Sequence, residues 1–382
     1  MSIVNRVTAR FHEIVGESPR GLWAAPGRVN IIGEHTDYNG GFALPMAIDR
    51  HTVVAVSPRD DGLVRVGSTL SSDIVTTELT RCVPGAVSGW AAYPLGVLWA
   101  LGGTRGGFRG LDIVIDSDVP IGAGLSSSAA IECAIAVAAN DLWELDLDRM
   151  QLAYAGQRAE NDMVGAPTGM MDQIASLFGA EESAVFIDCQ IPEARTVPFA
   201  LGAEGLAVLV MNSNVHHSHA TGGYKERRAA CERAAQAMGA DFLRDLEVDD
   251  LPKLRGIVDD VTFRRARHVV TENARVRVVA DLLQSDGPRA IGDYLVASHL
   301  SMRDDFEISI PQIDLAVRIA RENGALGARL TGGGFGGAAI ALAPRDTLAA
   351  IEHEVRSAYA AAQFDAPDLF VVSPSSGAGR LD

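Results

Sequence analysis

The segment VPIGAGLSSSAA, residues 119–130, leads into an alanine-rich stretch that is predicted to be a helix. Its small side chains let the backbone approach a ligand closely, and the free N–H groups at the start of a helix attract phosphate. The serine hydroxyls can contact Mg²⁺ or cap the helix. The segment therefore predicts a phosphate-binding loop, with a serine-capped helix after a turn as the alternative.

A second glycine-rich segment, LTGGGFGGA, covers residues 330–338. Five of the six residues from 332 to 337 are glycine. Because each glycine costs conformational entropy when the chain folds, core packing does not explain such a run. The segment indicates a backbone pressed against a ligand or against another element, and a tight loop between strands is the alternative.

The segment PGRVNIIGEHTDYNGG, residues 26–41, ends in turn-forming residues. Just before this turn, Glu34, His35 and Asp37 bring two carboxylates and an imidazole together. Carboxylates accept hydrogen bonds from the hydroxyls of a polyol, and a ring nitrogen can donate or accept. The pattern therefore favours a sugar site, with a solvated turn between strands as the alternative.

Two further carboxylates, Glu160 and Asp172, lie twelve residues apart. Pro167 and Gly169 are expected to end the helix that carries Glu160 before Asp172 is reached. A turn there could bring both carboxylates to one cavity, one to hold a metal ion and one to transfer a proton. Taken alone, either carboxylate is better explained as a helix cap or a surface residue.

The composition excludes several classes of function. The chain has 382 residues and a net charge of −16, from 33 basic and 49 acidic side chains. Its length favours two domains, and its acidic balance argues against a nucleic-acid or anionic-membrane partner. It contains two lysines, Lys225 and Lys253, and no Gly-Lys-Ser/Thr tripeptide, which excludes a P-loop.

Periodicity predicts helices and strands that alternate irregularly, so we expect an α+β fold rather than a doubly wound sheet. The domain boundary is expected within residues 192–205, which are rich in Pro, Gly and Ala. The predicted helices cover 3–16, 90–101 (amphipathic), 124–140, 148–161, 224–238 and 311–323. The predicted strands include 29–32, 52–56, 64–66, 113–115, 184–187, 206–211 and 338–342.

Four scattered cysteines without a C-x-x-C pair predict free thiols in a reducing cytosol. The N-terminus has no apolar secretion signal, and the longest uncharged stretch, residues 82–104, contains two prolines, so a cytoplasmic protein is expected. His216, His217 and His219 do not fit a zinc site. The cluster at 264–267 (RRAR) is expected to be a solvated helix face, with an oligomer contact as an option.

Five segments occur together and in order: GRVNIIGEHTDYNGG, IGAGLSSSAA, GAPTGMMDQ, MNSNVHHSHATGGYKERR and LTGGGFGG. Together they resemble the galactokinases of the GHMP small-molecule kinase superfamily, over nearly the whole chain. The first segment is close to the galactokinase signature. The second and last are shared across the superfamily and imply only ATP-dependent phosphorylation.

The resemblance implies a two-domain GHMP kinase fold, with a ribosomal-S5-domain-2-like N-terminal domain (1–195) and a ferredoxin-like C-terminal domain (196–382). The active site is expected in the cleft between them, and a return of the last strand to the first domain is left open. The implied reaction converts α-D-galactose and ATP into α-D-galactose 1-phosphate and ADP, the first committed step of galactose catabolism. Alternatives are a kinase for N-acetylgalactosamine or arabinose and a non-catalytic galactose sensor. The expected partners are small molecules, and the chain is expected to be a monomer or a weak oligomer.

The resemblance also implies residue roles. Asp172 matches the base and Arg28 the arginine that stabilises the transferring phosphoryl group. The sugar positions are Glu34, His35, Thr36, Asp37, Gly169 and Tyr224. The nucleotide positions are Ser68, Trp90, Gly122, Ala123, Gly124, Leu125, Ser126, Ser127 and Ser128. The Mg²⁺ positions are Ser128 and Glu160.

Overall fold

The computed structural model describes residues 1–166, 168–191, 193–215 and 220–381, and within them the chain forms helices around two β-sheets. The predicted histidine group at 216, 217 and 219 lies outside the described residues. The helices are α1 (Ile3–Val15), α2 (Ala92–Ala100), α3 (Ser127–Leu142), α4 (Arg149–Arg158), α5 (Met171–Phe178), α6 (Ala220–Met238), α7 (Leu251–Arg255), α8 (Asp260–Ser285), α9 (Gly292–Ser301), α10 (Pro311–Glu322) and α11 (Leu348–Ala361). The strands are β1 (Gly21–Ile32), β2 (Phe42–Arg59), β3 (Leu63–Ser68), β4 (Val75–Glu78), β5 (Gly110–Ser117), β6 (Ser183–Asp188), β7 (Glu193–Pro198), β8 (Leu206–Asn212), β9 (Gly327–Thr331), β10 (Ala338–Pro344), β11 (Asp368–Val372) and β12 (Gly379–Leu381).

The first sheet has the strand order β12-β1-β2-β5-β3-β4, with β6 on β2 and β7 on β6. Among the described strands, β3 and β5 form its one parallel pair. This pattern confirms an α+β arrangement rather than a doubly wound sheet. The register between β1 and β2 shifts between Pro26 and Arg28 and again between Asn30 and Ile32. Such irregularities re-aim side chains, and here they lie on both sides of Arg28.

The second sheet has the order β11-β8-β10-β9, and its neighbours are antiparallel. Helix α10 packs on β9 and β10, and α9 packs on β9. The two sheets share apolar packing, because one buried cluster contains Ile31 of β1, Val208 and Val210 of β8, and Val276 of α8. This shared packing fixes β1 beside the second sheet.

The end of the chain lies on the first sheet. Strand β12 pairs antiparallel with β1, with Leu22 opposite Leu381 and Ala24 opposite Gly379. Strand β7 extends across the predicted boundary at residue 195, and the position of that boundary stays a prediction.

Four predicted helices differ in detail. The helix predicted at 224–238 is α6, which begins at Ala220. Helix α3 begins at Ser127, not at residue 124, because Gly124 and Ser126 adopt positive φ and cannot continue a helix. The helix predicted at 148–161 ends at Arg158 and continues as a π-turn over Ala159–Val164. Helix α2 begins at Ala92 and is mostly buried rather than amphipathic, so Trp90 precedes it.

The prediction that residues 264–267 form a solvated face is wrong for Arg265, which is 3% exposed. Arg265 lies 2.5 Å from Glu307, and Arg267 donates to Asp305 at 2.9 Å. The charges that the sequence places beside one another therefore face acidic partners some forty residues further along the chain.

Within the described residues, no helix combines the length and the apolar character needed to cross a bilayer. Cys82, Cys133, Cys189 and Cys231 are free thiols.

Candidate active site

Arg28 lies at the centre of the site, between the two register shifts of β1 and β2. Gly27 lets the loop at 122–128 approach β1 closely, since a Cβ at Gly27 would lie 2.8 Å from the carbonyl oxygen of Leu125. Arg28 is 4% exposed, forms an ion pair of 2.8 Å with Asp172 and donates to the carbonyl oxygen of Gly124 at 2.6 Å. One guanidinium therefore joins the expected base to the expected phosphate loop.

Asp172 occupies the first turn of α5. Its Oδ1 accepts from Arg28, and its Oδ2 accepts from the hydroxyl of Ser126. The Ser126 hydroxyl therefore does not cap α3, which was one of the two uses expected for the serines. The carboxylate of Asp172 is held from both sides and keeps part of its surface open, with 27% of the side chain exposed.

The segment 122–128 forms a loop whose side chains and backbone face different ways. Ala123 and Leu125 are buried in the shared apolar cluster, so these two positions offer a ligand their backbone only. Gly122 is exposed and has a φ of 75°. The loop then enters α3, whose first turn carries free N–H groups and the positive end of the helix dipole.

The glycine run at 332–337 packs against this loop. A Cβ at Gly332, where φ is 85°, would lie 2.9 Å from the carbonyl oxygen of Gly124. Of the readings left open for the run, a backbone pressed against another element is therefore confirmed at Gly332. Gly333 has no atom within 4 Å of the place where a Cβ would be, so it leaves open space.

Glu34 is buried, and protein donors surround both of its carboxylate oxygens. Oε1 accepts from the N–H of Gly332 at 2.6 Å. Oε2 accepts from Arg329 at 2.8 Å and from the amide of Asn30. Burial raises the pKa of Glu34, and the Arg329 cation opposes this shift. Glu34 thus ties the expected sugar segment to the glycine run.

His35 has a φ of 61°, and its ring contacts the glycine run at Gly333 and the ring of Tyr38. Its Nε2 is 3.1 Å from the carbonyl oxygen of Gly333, and its Nδ1 is 2.7 Å from the hydroxyl of Tyr38. Because a carbonyl can only accept, Nε2 carries the proton and Nδ1 accepts from Tyr38. Burial lowers the pKa of His35 to about 3, so the ring is neutral at physiological pH.

Asp37 is the second carboxylate of the sugar segment and lies against Gly169, where any Cβ would collide with the Asp37 carboxylate. Burial raises the pKa of Asp37 to about 6; a hydrogen bond from the Tyr38 backbone opposes this, and the Asp172 carboxylate adds to it. The ring of Tyr224 packs 5.1 Å from that of His35 and closes the same space.

Glu160 lies in the π-turn after α4, a feature that often marks functional sites. Its Oε1 accepts from the hydroxyl of Ser128 at 3.2 Å. Its Oε2 accepts from Thr168 and from the amide of Gln173, each at 3.0 Å. Burial, followed by the Asp172 carboxylate, raises the pKa of Glu160.

These side chains enclose a cavity of about 120 Å³. It is lined by Arg28, Glu34, His35, Asp37, Thr168, Gly169, Met171, Asp172, Tyr224, Gly332 and Gly333. A second cavity of about 240 Å³ shares Asp37, Thr168 and Gly169 with it and extends to Asn161 and Phe242.

The loop at 122–128 and Glu160 do not line the first cavity, and neither do three further expected site residues, Thr36, Ser68 and Trp90. The Thr36 hydroxyl donates within the turn, to the carbonyl oxygens of Gly33 and Phe42. Ser68 ends β3, where its hydroxyl accepts from the N–H of Leu70. Trp90 lies half-buried in a 3₁₀ turn, against an apolar cluster that includes Leu95, Leu98 and Ile135.

Four residues of the site were not predicted from the sequence: Asn30, Thr168, Gln173 and Arg329. Thr168 and Gln173 lie inside a segment that had already been singled out, so their positions beside Asp172 were a signal. Arg329 gave a weaker signal, as a charged residue in a strand that is otherwise apolar.

Comparison with known proteins agrees with this geometry. Residues 9–58 match the profile described as the galactokinase galactose-binding signature. Residues 92–180 and 279–361 match the GHMP kinase N-terminal and C-terminal domains. A galactokinase from Streptomyces coelicolor is 49% identical over 383 residues, covering 100% of this chain and 99% of that relative. The chain belongs to the galactokinase family.

Two further galactokinases are similar to the chain over nearly its whole length. One from Mycobacterium tuberculosis H37Rv is 46% identical over 358 residues, covering 94% of this chain and 98% of that relative. The crystal structure of Lactococcus lactis galactokinase complexed with galactose has a TM-score of 0.94 at 31% identity, with 100% of both chains covered. A Methanococcus jannaschii mevalonate kinase, at 19% identity and a TM-score of 0.67, covers 94% of this chain and 100% of its own and shares the fold alone. The two-domain GHMP kinase fold expected from the resemblance is confirmed.

Proposed function

We propose that this chain transfers the γ-phosphoryl group of ATP to the C1 hydroxyl of α-D-galactose, with Asp172 as the base. The oxygen of the C1 hydroxyl forms a bond to the γ-phosphorus while its proton passes to Asp172. The bond from the γ-phosphorus to the bridging oxygen breaks, and ADP leaves. The observation that carries these roles is the position of Asp172, between the cavity lined by the sugar segment and the loop at 122–128.

Arg28 is placed to meet the negative charge of the phosphoryl group. It touches Asp172 on one side and the Gly124 carbonyl of the loop on the other. Phosphoryl transfer depends mainly on alignment and on charge neutralisation. The chain contains two lysines, so Arg28 and the backbone N–H groups of the loop at 122–128 are the groups that would neutralise the phosphate charge.

Ser128 and Glu160 fit a Mg²⁺ ion. Both offer oxygen atoms, which Mg²⁺ prefers, and these atoms lie 3.2 Å apart at the start of α3. Within the described residues, no group of three or more His, Cys, Asp or Glu side chains forms a metal cage. This agrees with Mg²⁺ chemistry, because the ion commonly takes one or two carboxylates and completes its shell with phosphates and water. When bound, it would neutralise phosphate charge beside Arg28.

The second cavity supports an alternative substrate, a galactose that carries a substituent, such as N-acetylgalactosamine. The two cavities meet at Asp37, Thr168 and Gly169, and the second is lined by amide and aromatic side chains that suit an acylamino group. A panel of galactose, glucose, N-acetylgalactosamine, talose and arabinose separates these substrates by kcat/KM.

We further propose that the protein is cytoplasmic, that it is a monomer or a weak oligomer, and that its partners are small molecules.

The test of the base is D172N. Asn keeps the size of the side chain and cannot take the proton, so ADP release is expected to fall to background. Galactose binding, measured by calorimetry, is expected to remain near that of wild type. Turnover of D172N close to wild type would refute the assignment, and loss of galactose binding would make Asp172 a sugar ligand instead.

A further inference from the structure

The amide of Gln173 bridges two buried carboxylates. Its Nε2 donates to Glu160 at 3.0 Å and to Glu132 at 2.8 Å. Glu132 belongs to α3, Gln173 to α5 and Glu160 to the π-turn after α4, so one amide group joins three elements. Gln173 and Glu132 are both fully buried.

The two carboxylates together determine how the amide is turned. Both hydrogens of Nε2 are used, so a flip would aim Oε1 of Gln173 at two carboxylates. Oε1 of Gln173 and Oε1 of Glu132 have no hydrogen-bond partner among the described residues. Helix α4 packs tightly against the pair, because a Cβ at Gly156 would lie 2.9 Å from Cγ of Gln173 and 3.4 Å from Glu132.

The bridge also decides which oxygen of Glu160 faces the loop. Gln173 and Thr168 both hold Oε2, which leaves Oε1 directed at the hydroxyl of Ser128. Without Gln173, Thr168 alone would hold Oε2 of Glu160. The Glu160 carboxyl group would then be free to rotate away from the hydroxyl of Ser128.

We propose that Gln173 and Glu132 are positioning residues that orient Glu160 toward the metal ion. This inference rests on the proposed role of Glu160 at Mg²⁺. Gln173 acts through its two N–H groups, and Glu132 acts by accepting the second of them. Neither residue needs to touch the ion, the nucleotide or the sugar.

The test measures metal binding apart from turnover. Mn²⁺ in the presence of ADP is titrated into the full chain and followed by the electron paramagnetic resonance signal of free Mn²⁺. Loss of a group that orients a metal ligand typically weakens metal affinity about 10–100-fold, and this loss is expected for Q173L and E132L. Galactose affinity, measured by calorimetry, is expected to stay at the wild-type value.

Conservative variants separate positioning from loss of structure. E132Q is expected to bind Mn²⁺ and ADP nearly as wild type, because its side-chain oxygen can still accept from the amide of Gln173. G156A keeps each polar group and displaces Gln173 sterically, so it is expected to weaken Mn²⁺ binding even if Q173L does not fold. S176A is the matched control, since Ser176 is buried on the same helix but donates to the carbonyl oxygen of Pro26.

E160Q is measured in parallel to distinguish two failures. If E160Q weakens Mn²⁺ binding while folded Q173L, E132L and G156A do not, the positioning role is overturned and the metal role of Glu160 stands. If E160Q itself binds Mn²⁺ as wild type does, the metal role of Glu160 is wrong and the positioning role falls with it.

Discussion

Glu34 and Asp37 lie three residues apart in one turn, but their carboxylates meet different surroundings. Protein donors occupy both oxygens of Glu34, which is 1% exposed. Asp37 lines both cavities and borders Asp172 through the space beside Gly169. Glu34 therefore connects the sugar segment to Arg329 and to the glycine run. Asp37 is the carboxylate of this pair that has acceptor capacity left for a ligand hydroxyl.

The affinity for galactose should depend on pH through Asp37. Its pKa is raised to about 6, so the carboxylate is ionised above that pH and becomes protonated as the pH falls. A protonated carboxyl loses acceptor capacity, and we expect affinity to fall by up to about tenfold for each pH unit below 6. Calorimetry with galactose alone, from pH 5 to 7.5, measures this dependence without metal or nucleotide.

D37N is the control for that experiment. It should bind galactose more weakly at pH 7.5 and show little change with pH over the same interval. His35 does not contribute, because its pKa of about 3 keeps it neutral throughout. If D37N kept the wild-type pH dependence, the titrating group would be another one, and Glu34, whose pKa burial also raises, would be the next to test.

At the scale of elements, the site is formed where β9 meets β1. The hydroxyl of Thr331 accepts from the N–H of Asn30 at 3.0 Å and donates to its carbonyl oxygen at 3.1 Å. Arg329 is fully buried and donates to the carbonyl oxygens of Asn30 and Ile31. These contacts align the sugar segment with the glycine run that follows β9.

Much of the arrangement of these helices, strands and loops could be predicted from local sequence. Turn residues, helical periods and the glycine runs predicted the loop at 122–128 and the helix that follows it. The β1–β9 seam, which consists of the contacts of Asn30 with Arg329 and Thr331, could not be predicted from the sequence. Arg329 and Asn30 are about three hundred residues apart, and neither belongs to a local sequence pattern. The role of Glu34 as a structural hydrogen-bond acceptor could not be predicted for the same reason. Its donor Arg329 belongs to the second sheet, and its donor Gly332 belongs to the loop that follows β9.

Replacing Arg329 should test that seam. The guanidinium pairs with Glu34 at 2.8 Å and lies 3.6 Å from Glu272, which Arg275 also neutralises. R329M would leave Glu34 buried without its cation, and removal of one partner from a buried pair typically costs about 3–5 kcal/mol. Urea unfolding measures the loss of stability, and galactose affinity should fall with it.

R318M is the matched control for R329M. Arg318 pairs with Glu322 at 3.0 Å on the exposed face of α10, and such surface pairs contribute about 0–1 kcal/mol. The double variant R329M/E34Q should recover part of the stability, because it removes the uncompensated charge. A loss for R329M no larger than for R318M would mean that the seam is held by packing and backbone contacts alone.

At the scale of the whole molecule, the last residues of the chain support the helix that carries Asp172. The N–H of Ala378 donates to the carbonyl oxygen of Ser176, and the N–H of Gly377 donates to that of Gly179, each at 2.8 Å. A Cβ at Gly377 would collide with the carbonyl oxygen of Leu177. Strand β12 then covers the edge of β1, so the C-terminus joins the first sheet to the C-terminal end of α5.

Removing residues 377–382 should therefore affect catalysis at a distance. The deletion exposes the edge of β1 and frees the end of α5, so we expect lower stability in urea and a lower kcat, with a smaller change in galactose affinity because Asp37 and Tyr224 are on other elements. G377V should act in the same direction through its clash with Leu177. R380A is the control: Arg380 pairs with Asp141 at 3.1 Å on the surface, and its loss should cost less than about 1 kcal/mol. Equal kcat values for the deletion and R380A would show that α5 holds Asp172 in place without the C-terminus.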